Sequence, residues 1–575
     1  MKLLNILTLG AIAGSLMLTS CSSSFLDVES KTESNTDTFY KTEQDALRAL
    51  VGCYAGWKLT NANPGISFYV GSTVMSDECY GGSGNGDGRG YQVIDRFDQA
   101  QSPGDQNLYE EDWKRYYEAI YRCNTLLQYE DQIQWTSDAT KGRLLGECHA
   151  LRAILYFDLV RLFGNIPFFT VPSSENKAQA DPAEVYGWIF QDLRYAIENI
   201  PADMYHGSNF PDAASVPGTV GRITKQAAEG MLARAYLYYT GYYGKEPGWT
   251  DEEMGTIGTV TKSEALAAAE DAITSGFYTL IPDGEFATMW PAASLVPAEG
   301  PVPEWDPELS TYLGYTNSEV MLQMNFTPGD YGSDASTSNR WIVLIGPRQI
   351  NVSPIGKGWG IATVCPAFLN YFSSDDTRKK ASVVDMAAEG LTASPLFHSN
   401  YLDWREYTGY TIKKYSPICY HDDANGGYQN GSVSISSSEF QINNTQPWYI
   451  LRLADVMLMA AELGSSNAQT YMDQIRQRAG LSSIQATQEN IMAERARELA
   501  FEGIRYWDLL RQSNGGDVNA LVSALQAVEG RTESGGLEDY VTYDPSKILA
   551  TRGLCQIPYN QITLSNYVLK QNPGW

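Results

Sequence analysis

Two irregular stretches of the chain carry residue types that could hold a polar ligand. The first spans residues 71–104 and is so rich in glycine that neither a helix nor a strand is expected there; long loops of this kind are often functional. The second runs from Leu280 to Gln446 in short, turn-punctuated segments that contain five tryptophans: Trp290, Trp305, Trp341, Trp359 and Trp404. A flat ring can stack on the apolar face of a sugar while nearby polar side chains bond its hydroxyls. By analogy with aromatic pairs, each such ring would contribute about 1 kcal/mol to the free energy of ligand binding.

Patterns typical of catalysis or of a metal centre are missing from the sequence. Four histidines in 575 residues argue against a His-based centre, and no C-x-x-C pair supports a zinc ribbon. H-E-x-x-H, G-x-S-x-G and the phosphate-binding P-loop do not occur. Glycines alternating with Asn85 and Asp87 leave calcium open, although their spacing fits neither the EF-hand nor the nonapeptide repeat. We therefore expect no catalytic residues, no metal and no cofactor, and we interpret Cys53, Cys123 and Cys148 as small core residues.

The most regular charge pattern lies near the end of the chain, from Glu494 to Arg511. Apolar residues recur there at steps of three and four, which predicts one face of a helix. Glu498 and Glu502 are four apart, and further charges follow at steps of three, so that opposite charges face each other. We expect this helix to be buried on most sides, because its basic residues are all arginine, which suits buried pairing. Its ion pairs would then fix its register against neighbouring elements.

Composition and periodicity together predict a folded, mainly α protein. The hydrophobic fraction of 43% and the charged fraction of 19% are those of globular domains, and 575 residues can bury a large core. The net charge of −27 opposes binding to nucleic acid or to an anionic membrane surface. Apolar steps of three and four mark successive helices from Thr42 to Ile273, with stop signals such as Gly164 to Pro167 between them. Such repeated helix pairs favour tetratricopeptide-like packing.

The first 21 residues have the form of an export signal. A short basic start precedes an apolar run from Leu3 to Leu18, which is too short for a comfortable membrane span. Leu18-Thr19-Ser20-Cys21 follows, and small residues before a cysteine at this place resemble the lipobox of bacterial lipoproteins. Several acyl chains on Cys21 would give a lasting anchor, whereas one chain holds a protein only marginally. An ordinary secretory signal with a chance cysteine is the alternative.

Motifs along the whole chain, in order, resemble the SusD/RagB family of outer-membrane nutrient-binding lipoproteins of Bacteroidetes. The late motif E-R-A-R-E-L-A-F-E-G-I-R-Y-W-D-L-L-R, at residues 494–511, is the one that carries the resemblance furthest. Further segments similar to the family lie at residues 147–167, 221–237, 448–462, 475–481, 557–558 and 571–575. The resemblance therefore extends from Cys21 to Trp575.

The resemblance implies a fold and a division of the chain. The fold expected is mainly α, a tetratricopeptide-like framework of helix pairs with a large irregular, loop-rich insertion. The segments expected are a signal peptide at 1–20, a lipidated tether at 21–40, a helical framework at 41–280 that includes the Gly-rich loop 71–104, a ligand-binding insertion at 281–446, and a C-terminal helical block at 447–575.

The resemblance also implies a function without catalysis. Members of the family bind oligosaccharides or polysaccharides at the cell surface and act as the lid of a SusC-like TonB-dependent outer-membrane transporter. This places the protein at the outer membrane, anchored in lipid through acylated Cys21. In the family the ligand site lies where the early loop and the insertion meet. By position this favours seven ligand-binding residues: Asp77, Tyr80, Arg89, Tyr91, Trp290, Trp341 and Trp359.

Three other functions stay open at this point. A glycoside hydrolase needs two carboxylates about 5–10 Å apart, and 68 acidic residues leave room for such a pair. A peptide-binding surface lipoprotein and a purely structural scaffold are the other two. Incubating the protein with candidate glycans and looking for new reducing ends separates the enzyme from the binding protein.

Overall fold

The computed structural model describes residues 39–62, 65–98, 102–202, 221–295, 311–327, 337–352, 354–422, 427–431, 441, 444–512 and 515–575. The predicted signal peptide, the predicted lipidation site Cys21 and most of the predicted tether lie outside the described residues, as does Trp305. Within those ranges, none of the helices combines the length and the apolar character that crossing a membrane requires.

Helices dominate the described part of the chain, and its strands are short. Eighteen α-helices are described: α1 Glu43–Ala62, α2 Phe68–Val74, α3 Gly90–Asp95, α4 Glu110–Gln128, α5 Asp138–Phe163, α6 Pro182–Asn199, α7 Lys225–Tyr243, α8 Lys262–Thr274, α9 Arg340–Ile345, α10 Thr377–Ser382, α11 Pro395–Asn400, α12 Leu453–Glu462, α13 Ala468–Arg478, α14 Gln488–Glu498, α15 Arg505–Arg511, α16 Asn519–Ala527, α17 Pro545–Thr551 and α18 Tyr559–Leu564. The described strands are β1 Cys79–Gly82, β2 Ile166–Pro167, β3 Gln179–Ala180, β4 Trp249–Asp251, β5 Gly255–Ile257, β6 Val320–Met324, β7 Ile361–Val364, β8 Val383–Asp385, β9 Tyr410–Ile412, β10 Ile418–Asp422, β11 Gly427–Gly431, β12 Trp448–Arg452, β13 Gly530–Ser534 and β14 Leu537–Val541.

The ends of the long helices follow from local sequence. Helix α5 begins after Ser137, whose hydroxyl accepts a hydrogen bond from the backbone N–H of Thr140 at 3.1 Å. It ends at Gly164, which adopts a φ of +66° and closes the helix where the stop signal predicts. Thr224, the predicted cap of α7, accepts from the N–H of Ala227 at 3.1 Å and so satisfies one of the free donors of the first turn.

The long helices pack one against the next in chain order. Helix α1 packs on α4, α4 on α5, α5 on α6, α6 on α7, and α7 on α8. After the insertion, α12 packs against α8 and continues the row through α13 and α14. Consecutive packing of this kind is what a helix-pair solenoid requires, because each unit buries its apolar face on its neighbours. The prediction of a mainly α, tetratricopeptide-like framework with a loop-rich insertion is confirmed.

The described strands form seven two-stranded antiparallel sheets, and two of these join segments far apart in the chain. Strand β6 pairs with β12 across the insertion, and β1 pairs with β7 through Cys79 with Val364, Tyr80 with Thr363, and Gly82 with Ile361. Strand β1 and helix α3 both lie inside the stretch that the sequence predicts to be loop. The glycines there do not prevent a strand, because its partner comes from the insertion and not from a local hairpin.

The segment from Glu494 to Arg511 is buried as predicted, but it is two helices and not one. Helix α14 ends at Glu498 and α15 begins at Arg505. Between them Phe501 adopts a φ of +63°, and its N–H donates to the side chain of Glu78 at 2.7 Å. Gly503 also has a positive φ and packs directly against Tyr69. The break is therefore made by contacts with distant residues, which helical periodicity cannot reveal.

The ion pairs of this segment reach other elements and are buried. Glu498 accepts from Arg378 and from Arg452, at 3.0 Å each, and also from Arg478. Glu502 accepts from Arg452 at 2.9 Å and from Lys414 at 2.7 Å. Although burial alone would raise the pKa of Glu498, the three guanidinium groups hold it well below its usual range. The expected structural role of these charges is confirmed.

Candidate functional site

A cavity of about 490 Å³ opens where the Gly-rich stretch meets residues 340–361 of the insertion. One wall is made by residues 83–91 and the other by α9 and the residues that follow it. The polar and aromatic side chains that line it are Ser83, Asp87, Tyr91, Arg340, Arg348, Gln349 and Trp359. The cavity thus combines one tryptophan ring with a small set of charged and polar groups.

The ladder between β1 and β7 fixes the two walls against each other. It continues past Gly82, because the N–H of Ser83 donates to the carbonyl oxygen of Gly360 at 2.8 Å. Gly82 has a φ of +66°, and a Cβ at this position would clash with that same carbonyl. Only glycine allows the two backbones to approach this closely. The glycines of this stretch therefore have a positional role in closing the site.

Arg348 joins the two walls through ion pairs. Its guanidinium bonds Asp87 of the early stretch at 2.5 Å and Asp403 of the insertion at 2.9 and 2.5 Å. The Arg348 side chain is only 9% exposed, whereas those of Asp87 and Asp403 are 44% and 45% exposed. A Cβ at Gly84 would clash with this guanidinium, so the absence of a side chain there makes room for it. Both carboxylates are therefore partly open to solvent, and that of Asp87 also lines the cavity.

Trp359 is the tryptophan that faces this cavity. Its backbone N–H donates to the carbonyl oxygen of Val343 at 2.8 Å, which holds it against α9. The guanidinium of Arg340, at the start of α9, lies 5.2 Å from the centre of the Trp359 ring. This is a cation–π distance, so the pair presents a ring and a charge side by side. The half-buried ring has room to contact a ligand without leaving its place in the fold.

Comparisons with known proteins identify the family of this chain and agree with its helical fold. A family model described as "SusD family" matches residues 319–575, and one described as "Starch-binding associating with outer membrane" matches residues 24–237. The chain belongs to the SusD family. SusD-like protein P2 of Formosa agariphila is 23% identical over 569 residues, which cover 94% of each chain. A SusD-like protein of Bacteroides ovatus is 24% identical over 418 residues, covering 69% of this chain and 64% of the relative.

Solved structures of SusD-like proteins share the fold. A protein titled "Laminarin binding SusD-like protein" has a TM-score of 0.67 and 24% identity, and covers 93% of this chain and 100% of its own. Surface glycan-binding protein A from Bacteroides thetaiotaomicron, solved in complex with laminarihexaose, has a TM-score of 0.68, 21% identity and the same coverage. Surface glycan-binding protein A from Bacteroides fluxus has a TM-score of 0.69 and 23% identity, again with 93% and 100% coverage.

Two of the seven residues favoured from the sequence line the cavity of this SusD-family chain. Trp359 is the aromatic platform described above. Tyr91 lines the cavity but is almost fully buried, and its hydroxyl accepts from the N–H of Ser67 at 3.1 Å. Burial raises the pKa of the Tyr91 hydroxyl, which therefore stays neutral. Arg89 is exposed but lines a neighbouring polar cavity on the other side of α3, where its Nε donates to Gln92 at 2.9 Å.

Two of the other favoured residues, both from the early stretch, are structural. Asp77 is buried and takes a two-pronged ion pair from Arg505, at 2.8 Å to each oxygen. Tyr80 is buried, and its hydroxyl donates to the carbonyl oxygen of Val528. Their sequence neighbours lie in β1 and the turn before it, which face the core. The expectation that they contact a ligand is therefore corrected.

The tryptophans Trp290 and Trp341 are fully buried, at 0% exposure, and the same correction applies to them. Lys414 Nζ lies 4.5 Å from the centre of the Trp290 ring, inside the buried ionic cluster around Glu502. Trp341 meets Trp448 edge-on, with ring centres 4.5 Å apart. Each ring packs in the core between elements that are distant in sequence. The sequence alone does not distinguish a buried tryptophan from an exposed one.

The structure adds Asp87, Arg340, Arg348 and Asp403 to the candidate site. Asp87 lies within the Gly-rich stretch, and this position was the only hint in the sequence that it belongs to the site. Arg348 carried no signal, because its two acidic partners are 261 and 55 residues away. Its guanidinium also supplies the positive charge next to Asp87 and Asp403. Within the described residues, the acids of the Gly-rich stretch do not belong to a group of three or more His, Cys, Asp or Glu side chains close enough to share a metal ion.

Proposed function

We propose that this SusD-family chain is a non-catalytic glycan-binding lipoprotein, and that the cavity at Trp359 holds an uncharged oligosaccharide. The observation that carries the proposal is a half-buried tryptophan ring beside charged groups that already pair with each other. The ring offers a stacking platform of about 1 kcal/mol. The exposed sides of Asp87 and Asp403 accept hydrogen bonds from sugar hydroxyls.

The charges of the cavity favour a neutral ligand. Asp87, Arg340 and Arg348 line the cavity and Asp403 pairs with Arg348 beside it, and the formal charges of these four groups sum to zero. The whole chain has a net charge of −27, which repels acidic polysaccharides. Two solved relatives are titled for laminarin or for laminarihexaose, which are neutral glucans. Laminarin is therefore the first ligand to test.

Binding is tested by calorimetry with laminarin, starch and polygalacturonate as neutral and acidic probes. We expect a neutral glucan to bind, and Trp359→Ala to weaken that binding by about fivefold, as the loss of about 1 kcal/mol predicts. The matched control is Trp249→Ala, a half-buried tryptophan on the β4–β5 hairpin outside this cavity. Equal losses in both variants, or binding of the acidic polymer alone, would contradict the proposal.

The absence of catalysis is tested on the same samples. The chain belongs to a family named for binding, in agreement with the expectation that it is not an enzyme. We expect no new reducing ends after prolonged incubation with any glycan that binds. Release of reducing ends that is abolished by Asp87→Asn or Asp403→Asn would instead identify a glycoside hydrolase.

We further propose that acylated Cys21 anchors the protein at the outer surface of the outer membrane, where it lids a TonB-dependent transporter. The family model for starch-binding proteins associated with the outer membrane supports this location. The proposed parts are the tether 21–40, the framework 41–280, the insertion 281–446 and the C-terminal block 447–575. We expect Cys21→Ala to abolish labelling by radioactive palmitate and to release the protein from membranes. We also expect the wild type to co-purify with a barrel transporter; recovery without one would contradict the lid.

A further inference from the structure

Three cysteines from three different helices meet at one point inside the framework. Cys53 lies in α1, Cys123 in α4 and Cys148 in α5, and all three are fully buried. Their sulfur atoms all lie within 4.8 Å of one another, and the Cys148 thiol donates to the carbonyl oxygen of Cys123 at 3.6 Å. Cysteine often acts as a small apolar core residue. Convergence of three thiols on one point is a more specific arrangement.

The packing around the thiols fixes their positions. One turn away from Cys53, Gly56 packs so tightly on Ala119 that a Cβ would lie 3.0 Å from the Ala119 Cβ. Helices α1 and α4 are thus held close together beside the cluster. In the described part of the chain, this is the one group of three or more His, Cys, Asp or Glu side chains close enough to share a metal ion.

The geometry fits a three-coordinate soft cation. A metal–sulfur bond of about 2.3 Å in a flat, trigonal site puts the sulfur atoms about 4.0 Å apart, so the cluster needs to contract by less than about 1 Å. Zinc in structural sites takes four ligands, and no fourth His, Cys, Asp or Glu joins this group among the described residues. Three thiolates without a fourth ligand suit the soft cation Cu(I).

The surroundings supply part of the compensating charge. Cu(I) with three thiolates carries a net charge of −2, which burial would penalise. The guanidinium groups of Arg122 and Arg152 act electrostatically on Cys53 and Cys123, respectively, although Arg152 is paired with Asp192, whose carboxylate opposes it at Cys123. Tyr40, at the beginning of the described chain, lies within electrostatic range of Cys53 and Cys148. The cluster therefore sits where the predicted tether joins the helical framework.

We propose that Cys53, Cys123 and Cys148 form a binding site for one Cu(I) ion, which clamps α1, α4 and α5 together at the root of the tether. Three S–H bonds break, three Cu–S bonds form and three protons go to solvent, while copper and sulfur keep their oxidation states. Because protons are released, the affinity rises with pH. This copper site is separate from the proposed glycan cavity, because none of the three cysteines lines that cavity.

The test uses the full-length Cys21→Ser chain, dissolved in mild detergent. Its seven remaining cysteines are all free thiols in the structure. Cu(I) is supplied anaerobically from a bicinchoninate complex. We expect transfer of one Cu(I) per chain, a thiolate-to-copper absorption band, and a melting temperature that rises with added Cu(I). Cys123→Ala and Cys53→Ala should each lower the affinity by more than about 100-fold. Cys555→Ala, which removes a buried thiol outside the cluster, should leave it unchanged.

Three results would overturn the site. The first is no transfer of copper from the chelator to the wild-type cluster. The second is a loss of Cu(I) affinity in Cys555→Ala equal to that in Cys53→Ala and Cys123→Ala, provided that the melting temperatures of the copper-free variants show them folded. The third is a thiol count, on protein purified without reductant, that finds a disulfide within the cluster. Glycan binding measured in parallel does not depend on these outcomes, so the two proposals fail separately.

Discussion

Replacing Arg348 with methionine removes the cation that joins the two walls of the cavity while keeping most of the side chain's length. In the protein this guanidinium bonds Asp87 of the early stretch and Asp403 of the insertion. After the change, the two carboxylates lose the positive charge that they share. The Gly-rich wall then keeps the β1–β7 ladder and its remaining bonds to the insertion, among them those of Gly82 to Glu406 and of Asn85 to Leu402.

The size of the effect follows from exposure. Removing one partner of a fully buried ion pair lowers the free energy of unfolding by about 3–5 kcal/mol, whereas a solvent-exposed pair contributes only about 0.2–1 kcal/mol to it. With its carboxylates 44% and 45% exposed, each Arg348 pair belongs nearer the second class. We expect the free energy of unfolding to fall by about 1–2 kcal/mol in total. If the bridge also orders the wall for the ligand, the same energy weakens glycan affinity by about 5- to 30-fold.

Urea unfolding and calorimetry with the best neutral glycan measure the two effects on one sample. The control is Arg531→Met, which breaks an exposed pair with Glu538 on the β13–β14 hairpin, away from the cavity. Adding Asp87→Asn and Asp403→Asn to Arg348→Met should recover stability but not affinity, because the amides remove the repulsion without restoring the bridge. An Arg348→Met protein that loses stability yet binds within twofold of the wild type would refute the ordering role.

Three further predictions concern stability and the shape of the site. Burial raises the pKa of Glu78 from 4.5 to about 8, so between these values the folded state holds a proton that the unfolded state has released. The free energy of unfolding, measured in urea, should therefore fall as pH rises from about 5 to 8, and Glu78→Gln should flatten that slope. Glu498→Gln removes the buried negative charge that Arg378, Arg452 and Arg478 share, and it should cost about 3–5 kcal/mol in urea unfolding. Glu389→Gln, in a partly exposed pair with a lysine, should cost less than about 1 kcal/mol. Gly82→Ala should weaken both folding and glycan binding, because its Cβ meets backbone, while Gly86→Ala, with open space around it, should change neither.

The helical framework was predictable because its signals are local. A capping residue such as Thr224, a stop such as Gly164 and the apolar stripe between such signals all act within one or two turns. The break between α14 and α15 was not predictable by the same reasoning. It depends on Glu78 accepting from the N–H of Phe501, 423 residues away in the chain. Long-range contacts of this kind decide where a periodic charged segment bends.

The candidate site was predictable in region but only in part by residue. The family resemblance located it where the early stretch and the insertion meet, and Trp359 and Tyr91 line the cavity there. Trp341 has the same side chain and lies only a short way upstream, yet it faces Trp448 in the core. Trp341 is buried because Trp448, from strand β12, packs against it on α9. This partner lies more than 100 residues away in the chain, so local sequence does not reveal it.

Arginine performs two different tasks in this molecule, and the exposure of its acidic partner separates them. Arg452 is buried together with Glu498 and Glu502, and the buried acids leave no room for a ligand to compete for these hydrogen bonds. Arg348 is also nearly buried, but its acids reach solvent, so an incoming hydroxyl can share them without breaking the pair. An arginine–carboxylate pair is therefore a candidate ligand contact when the acid, and not the arginine, is exposed. By this criterion the bridge at Arg348 belongs to the proposed binding surface, and the charged helices at the end of the chain belong to the scaffold that supports it.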